Sequence, residues 1–192
     1  FKTDLRYFNS SDDGKNGQAG YVFNNNSGYA KTPGQVDNQT WSAMFTYSLG
    51  GHAILLGHQE VGDDGGMVFL NQGSVTRNGG SARPEGNGGS SVYLFTDAMI
   101  NSFTRAGENS TFGQYSYDFA RVGIPGLKTA IAYIHAEDVK GQQGTVNAGR
   151  RFSEWERDMR VDYVIQSGPL KGFGTTVRHG SFRSDGCISR TD

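Results

Sequence analysis

The chain has 192 residues, of which 29 are Gly and only 4 are Pro. Because Gly inside a helix is destabilising, this composition argues against a helical bundle. The 18 Lys and Arg residues nearly balance the 19 Asp and Glu residues, which excludes the broad positive field of a nucleic-acid-binding protein. The single cysteine, Cys187, excludes an internal disulfide framework, and no Cys/His cluster has the spacing of a zinc site.

Apolar and polar side chains alternate along most of the chain, a pattern typical of strands that separate two environments. Seven segments show this pattern, in chain order about 1–9, 38–49, 51–61, 110–120, 127–138, 154–167 and 172–184. It is clearest in the sixth segment, where Met159 and Val161 alternate with Arg160 and Asp162. It is weakest in 51–61, so the sequence leaves the register of that strand open. The chain is therefore predicted to be all-β.

The predicted strands approach the ~9–11 residues that a tilted membrane-spanning strand needs, whereas globular strands average ~5–6. Short turns at 50–51, 120–126 and 167–172 alternate with long loops at about 10–37, 62–109 and 139–153. Short turns on one side and long loops on the other are typical of an outer-membrane β-barrel. A soluble β-sandwich also shows alternation, but strand length and loop asymmetry favour the transmembrane antiparallel barrel. The longest apolar run, 130–134, is too short for a membrane-spanning helix.

Seven short motifs fall at the predicted turns and strand ends. They are Gly-Gly-His at 50–52, Gly-His-Gln-Glu-Val at 57–61, Ile-Asn-Ser-Phe-Thr-Arg-Ala at 100–106, Gly-Ile-Pro-Gly-Leu at 123–127, Glu-Trp-Glu-Arg-Asp at 154–158, Gln-Ser-Gly-Pro-Leu-Lys-Gly at 166–172 and Phe-Arg-Ser at 182–184. In this order they resemble the OprD family of substrate-specific outer-membrane porins of Gram-negative bacteria. The resemblance covers nearly the whole chain.

The resemblance implies the carboxyl-terminal part of a single-chain barrel of eighteen antiparallel strands, with the seven segments as strands eleven to seventeen. One β-barrel domain would occupy 1–192, with the three long loops outside the cell. Seven strands are odd in number and fewer than the minimum of about eight in a closed bacterial barrel. Because open sheet edges are prohibitive in lipid, we expect an incomplete chain that lacks the amino-terminal half and the last strand.

The resemblance also implies a function: passive, substrate-selective diffusion of small carboxylate-bearing nutrients along a basic pore lining in the outer membrane. The solutes would be aromatic or other monoacids, or amino acids, and the run at 100–106 favours the monoacids. No catalysis, cofactor, metal ion or nucleic acid is expected. The expected partners are the solutes, outer-membrane lipid and lipopolysaccharide, and both a monomer and a trimer agree with the resemblance.

Pore-lining candidates follow from the alternation, because the face opposite the apolar one would meet water. They are Lys2, Asp4, Arg6, Lys128, Asp158, Arg160, Asp162 and Arg178. Arg160 and Arg178 are the strongest, since they share a face on strands joined by a short turn, and a planar guanidinium can hold a carboxylate through two hydrogen bonds. Arg157, in the Glu-Trp-Glu-Arg-Asp run, is a further candidate, although the alternation puts it on the outward, apolar face unless a bulge intervenes. Arg183 is expected near the outer rim. Alternatively, these residues are the mutually compensating charges that line the water-filled interior of any such barrel.

A constriction is the second predicted site, because the resemblance implies that the loop at 62–109 folds into the pore. Asp63 and Asp64 are candidates for contact with a cationic part of a solute, although their Gly-flanked run also has the composition of a solvated turn. Ser102 and Arg105 are further candidates. Thr176 stands where the family often has a second Arg, so the basic row is expected to be sparser.

Other functions remain open at this point. A non-conducting structural or adhesion barrel would share the strand pattern, and so would a soluble glycan-binding β protein. A hydrolase would need Ser48 or Ser181 together with His52 or His179, but the chain has no Gly-x-Ser-x-Gly elbow.

Overall fold

The computed structural model describes residues 1–11, 22–24, 31, 36–67, 74–76, 94–141 and 147–186. Its strands are β1 (Lys2–Ser11), β2 (Val22–Asn24), β3 (Asp37–Leu49), β4 (His52–Val61), β5 (Ser74–Thr76), β6 (Asn109–Asp118), β7 (Leu127–Lys140), β8 (Arg151–Val164) and β9 (Gly174–Ser184), with a 3₁₀ helix at Phe119–Val122. In this part of the chain, no helix has the length and apolar character needed to cross a membrane. Cys187 and most of the predicted loop at 10–37 lie outside the described residues.

The long strands form one antiparallel seven-stranded sheet in the order β1-β3-β4-β6-β7-β8-β9, so each pairs with its neighbours along the chain. These are the seven predicted strands, and their bounds differ from the predicted ones by no more than three residues. The largest difference is in β8, which begins and ends three residues early. It begins early because Arg151 still pairs with Lys140 beyond a bulge between Ala136 and Val139.

A second sheet connects two of the predicted loops. It consists of β2 and β5, in which Val22 pairs with Thr76 and Asn24 with Ser74. This sheet could not be predicted from the sequence, because three residues are too few to show a two-residue alternation. The loops at 10–37 and 62–109 are therefore joined to each other by backbone hydrogen bonds.

One face of the seven-stranded sheet is apolar and exposed. Its large side chains, from β1 to β9, include Leu5, Phe45, Tyr47, Ile54, Leu56, Tyr115, Ile131, Tyr133, Met159, Val161, Tyr163 and Val177. The pairing with β3 settles the register of β4, whose Ile54 and Leu56 lie on this face. So large an apolar surface requires a cover, and a lipid bilayer is the cover that strands of this length fit.

The packed core lies against the other face, beneath residues 94–108, which we call the covering segment. Phe103 of this segment packs with the buried side chains of Met44, Phe112 and Ile134. Many of the other buried side chains on this face are polar, among them Thr40, Ser42, Gln59, Ser110, Glu154 and Glu156. Gln59, Glu154 and Glu156 form hydrogen bonds to the covering segment, so polar contacts as well as apolar ones position it.

Two short turns depend on Gly. Gly51, between β3 and β4, has a φ of +96°, and a Cβ there would lie 2.9 Å from the carbonyl oxygen of Asp118. Gly126, just before β7, has a φ of +90°, and a Cβ there would collide with the carbonyl oxygen of Val164. Each position combines a left-handed backbone with a close neighbouring strand, so only Gly fits without strain.

The variant Gly57→Ala tests the packing of the covered face. Gly57 leaves room for the ring of Phe112, and a Cβ there would lie 2.6 Å from Cε2 of that ring. We expect the free energy of unfolding to fall by about 1–3 kcal/mol, because overpacking displaces the ring from its position. Thermal unfolding of the detergent-purified protein measures the loss.

Gly113→Ala is the matched control, because Gly113 lies on the neighbouring strand β6 and on the opposite face. Its Cβ would lie 3.3 Å from Cδ2 of Leu56, an exposed and flexible side chain, so we expect a smaller effect. Equal losses in the two variants would contradict this account of the packing.

Candidate functional site

The covered face of the sheet carries all eight charges that alternation predicts to line a pore. Lys2, Asp4 and Arg6 lie on β1, Lys128 on β7, Asp158, Arg160 and Asp162 on β8, and Arg178 on β9. All eight lie on one side of the sheet. One row of paired residues runs across the strands from β1 to β9, and each of the eight lies on that row or an even number of residues from it along its own strand. The eight charges therefore lie together on the polar side of the sheet.

Arg157 and Arg183 lie on the opposite, apolar face. The pairing of β8 with β9 contains no bulge, so Arg157 keeps its outward parity and lies beside Tyr133 of β7. Arg157 therefore does not belong with the pore-lining residues among which it was predicted. Arg183 pairs with Trp155 at the long-loop end of β9.

Arg160 and Arg178 are direct cross-strand partners. Nε of Arg160 donates a hydrogen bond of 2.9 Å to Oδ1 of Asp162, and the hydroxyl of Thr176 donates one of 2.6 Å to the same oxygen. Within the described residues, the guanidinium of Arg178 has neither a hydrogen bond nor an ion pair. Two adjacent cations thus share one carboxylate, and directly opposed like charges repel. A further anion at this position would relieve that repulsion.

A cavity of about 330 Å³ opens between these arginines and the covering segment. Besides Arg160 and Arg178, it is lined by Asp97, Ala98 and Met99 of the segment and by Gln114, Ala130, Ala132 and Asp158 of the sheet. The small side chains at 130 and 132 leave the space, and Met99 adds a flexible apolar wall. Burial raises the pKa of Asp97. The cavity therefore presents two arginines and two acidic side chains, together with apolar contacts from Met99, Ala130 and Ala132.

Carboxylates of β8 hold the covering segment against the sheet. Glu156 accepts hydrogen bonds of 2.8 Å from the backbone N–H groups of Ile100 and Asn101, and Asp158 accepts one of 3.1 Å from that of Met99. Each of these hydrogen bonds joins a backbone donor of the segment to a side-chain acceptor of the sheet. This role of Glu156 was not predicted, although carboxylates at 154, 156 and 158 alternate along one strand and so form a row of acceptors on one face.

Arg105 joins the end of the covering segment to the same row. Its guanidinium forms an ion pair with Glu154, whose side chain is fully buried. Its backbone N–H donates a hydrogen bond of 2.8 Å to Oε2 of Glu108. Burial and the nearby charge of Glu154 raise the pKa of Glu108 well above its ordinary value. Ser102, also predicted to form a constriction, lies in the same segment with its hydroxyl 3.2 Å from that of Thr104.

Gln59 of β4 anchors the segment from the other side. Its Nε2 donates a hydrogen bond of 2.8 Å to the carbonyl oxygen of Phe103, and its Oε1 accepts one of 3.0 Å from the hydroxyl of Thr96. The ring of Phe103 contacts that of Phe182 on β9, with centroids 6.3 Å apart. The segment is therefore fixed to strands on both sides of the cavity.

Asp63 and Asp64 form ion pairs outside the cavity. Asp63 lies 2.7 Å from Nζ of Lys140 and 3.0 Å from the guanidinium of Arg151. The hydrogen bond from Lys140, followed by the charges of both cations, lowers the pKa of Asp63. Asp64 lies 2.9 Å from Nζ of Lys31. These contacts neutralise basic side chains at the bases of the long loops, and neither carboxylate lines the cavity.

The other predicted basic residues have separate surroundings. Arg6 forms an ion pair of 2.8 Å with Asp4, and its guanidinium lies 3.9 Å from the ring centroid of Phe95 in the covering segment. Lys128 lies 3.2 Å from Asp118, and Lys2 is exposed. Over the ranges that the structure describes, no group of three His, Cys, Asp or Glu side chains is placed to hold a metal ion.

Sequence comparison identifies one family. The family model described as outer membrane porin, OprD family, matches residues 1–192. Porin D of Pseudomonas aeruginosa is 30% identical over 178 residues, which cover 86% of this chain and 38% of Porin D. The porin-like protein GalP of Pseudomonas putida is 32% identical over 167 residues, which cover 86% of this chain and 34% of GalP. The chain therefore spans little more than a third of the length of these relatives.

Solved structures share the fold over nearly all of this chain. OccK8 (OprE) of Pseudomonas aeruginosa superposes with a TM-score of 0.71 at 40% identity, covering 95% of this chain and 42% of OccK8. OpdK of the same organism, crystallised with vanillate, superposes with a TM-score of 0.70 at 29% identity, covering 96% of this chain and 40% of OpdK.

The raised pKa of Glu108 predicts a dependence of stability on pH. Because the folded protein holds this proton more tightly than the unfolded chain, the stabilisation is complete below the ordinary carboxyl pKa and is lost as the pH rises through the raised value. Glu108→Gln keeps an oxygen for the Arg105 N–H and cannot ionise. We expect it to flatten the alkaline fall of the unfolding temperature, measured from about pH 5 to about pH 9.

Glu137→Gln is the control, since Glu137 is an exposed carboxylate near the end of β7. The Glu137→Gln variant should show the same dependence of the unfolding temperature on pH as the wild type. An unchanged alkaline slope in Glu108→Gln would show that Glu108 does not hold its proton in the folded state.

Proposed function

Because the chain belongs to the OprD family of outer membrane porins, we propose that it forms part of the wall of a channel for the passive, substrate-selective diffusion of small carboxylate-bearing solutes. The chain spans about two fifths of the length of the matched structures, and the proposal concerns the whole channel. The matched proteins are porins rather than enzymes, and diffusion down a gradient needs no catalytic group or cofactor.

The pairing of Arg160 with Arg178 is the observation that carries this proposal. Asp162 forms its ion pair with Arg160, and Arg178 lies at the cavity with its donors available. A carboxylate can accept two parallel hydrogen bonds from one guanidinium, which selects the planar anion by shape as well as by charge. Arg178 is also exposed, so the contact is weak enough for the solute to leave again, as conduction requires.

The apolar part of the cavity supports a monoacid as the solute. Met99, Ala130 and Ala132 line it beside the arginines and suit a hydrocarbon or aromatic body. One solved relative, OpdK, was crystallised with vanillate, which is an aromatic carboxylate. We therefore place small aromatic or other monoacids ahead of basic amino acids as the solutes of this channel.

The covering segment supplies the proposed constriction. It lies over the polar face of the sheet and is held there by Glu154, Glu156 and Gln59. In a barrel this face borders the lumen, so a segment attached to it reduces the cross-section of the pore. Asp97 and Met99 would then face a solute across the cavity from Arg178.

Arg178→Ala tests the solute site in the complete gene product. Benzoate should interrupt the single-channel current in a planar bilayer while it occupies the site. Removing one charge-assisted contact should raise the half-blocking benzoate concentration about tenfold, equivalent to ~1.4 kcal/mol. Arg157→Ala is the matched control, because it removes the same charge from the opposite face of the same sheet and should leave the block unchanged.

Other outcomes would contradict the proposal. A stronger block by free arginine than by benzoate would exclude the monoacid class. Equal effects of Arg178→Ala and Arg157→Ala would remove the arginine pair from the solute path. A silent bilayer, from protein shown to be folded and inserted, would favour a non-conducting structural or adhesion barrel.

Arg105→Ala tests the constriction. It leaves the buried Glu154 carboxylate without its ion pair, a loss that typically costs about 3–5 kcal/mol. We expect the covering segment to detach and the single-channel conductance to rise. Arg150→Ala is the control. Arg150 is exposed, and its guanidinium donates a hydrogen bond of 3.1 Å to Oδ1 of Asn147. Unchanged conductance in Arg105→Ala, with the ion pair removed, would contradict a constricting role.

A further inference from the structure

Two arginines lie on the lipid-facing side of the sheet, away from the cavity. Arg157 is the cross-strand neighbour of Tyr133, and Arg183 is that of Trp155. The two arginines are diagonal neighbours on β8 and β9, because Arg157 pairs with Ser181 and Arg183 follows two residues later. Diagonal neighbours lie about 7–8 Å apart, so one anion between them can contact both guanidinium groups.

Both arginines lack a neutralising partner among the described residues. In the part of the chain that the structure describes, neither side chain has a hydrogen-bond or ion-pair partner, and both are exposed. The rings of Tyr133 and Trp155 lie next to them, with centroids 5.9 Å apart. Rings of this kind mark the level at which the hydrocarbon of a membrane meets its headgroups.

Strand geometry puts Arg183 at the outer edge of the apolar band. Phe173 is exposed at the short-turn end of β9, and Arg183 follows it ten residues later. With a rise of ~3.3 Å per residue and a tilt of about 40°, these ten residues climb about 25 Å, which is the height of the apolar band of an outer-membrane barrel. The long loops mark the extracellular side. Arg157 lies slightly lower and reaches the same level with its long side chain.

We propose that Arg157 and Arg183 together bind a phosphate group of lipopolysaccharide in the outer leaflet. A cation at the lipid boundary is unfavourable unless an anion joins it, and arginine binds phosphate oxygens in a bidentate manner. The lipid A part of lipopolysaccharide carries its phosphates directly above the acyl chains. The acyl chains then lie against Met159 and Val177 on the same face of the sheet. This inference rests on the outer-membrane location of the family and not on solute transport.

The test titrates bisphosphorylated lipid A into the complete gene product in detergent and follows the unfolding temperature. We expect the double variant Arg157→Ala/Arg183→Ala to need at least about tenfold more lipid A than the wild type for the same upward shift. Arg121→Ala/Lys171→Ala is the matched control, because it removes two exposed positive charges at the short-turn end. It should respond as the wild type does.

Three results would overturn the proposal. They are an unchanged titration in the double alanine variant, equal stabilisation by lipid A without phosphates, and the same stabilisation by inorganic phosphate alone. Should the alanine variant not fold, Arg157→Lys/Arg183→Lys keeps the charges and loses the bidentate geometry, and a response equal to that of the wild type would also overturn the proposal. The benzoate block is measured separately, so failure of the lipid site is distinguishable from failure of the channel.

Discussion

Two carboxylates that are removed from water, those of Glu154 and Glu156, determine where the covering segment lies. An ionised carboxylate inside a protein is unfavourable unless hydrogen bonds satisfy its oxygens. The donors for this pair come from Ile100, Asn101 and Arg105, all in one stretch of one loop. The loop therefore has to return to the wall of the sheet at this place. The cavity is the space that remains beside the contact.

Strand parity gives neighbouring arginines different environments. Arg157 and Arg160 are three residues apart on β8, but an odd separation puts them on opposite faces. Arg160 and Arg178 face the covered side, where Asp162 and the cavity surround them. Arg157 and Arg183 face the apolar side. Shifting the pairing by one residue would exchange these roles and bring Val161 and Val177 into water, so the apolar face fixes the register that sorts the charges.

The strands could be predicted from the sequence because their signals are local. Alternation and Gly-containing turns predicted β8 and the shared face of Arg160 and Arg178 without any knowledge of distant contacts. The register of β4 could not be predicted, because only its pairing with β3 places Ile54 outward. The contacts of the covering segment were also out of reach. Glu156 binds backbone N–H groups, which every sequence supplies, so no side-chain pattern identifies its partners.

Met99 is attached to Asp158 of β8 through its backbone N–H group, a contact that does not depend on which side chain stands at position 99. Every residue type except Pro offers the same donor. Substitutions at position 99 can therefore accumulate in evolution while this contact is kept. A lineage of such proteins can diversify in the compounds it admits by drift at a few wall positions, with the scaffold and its acidic anchors inherited intact.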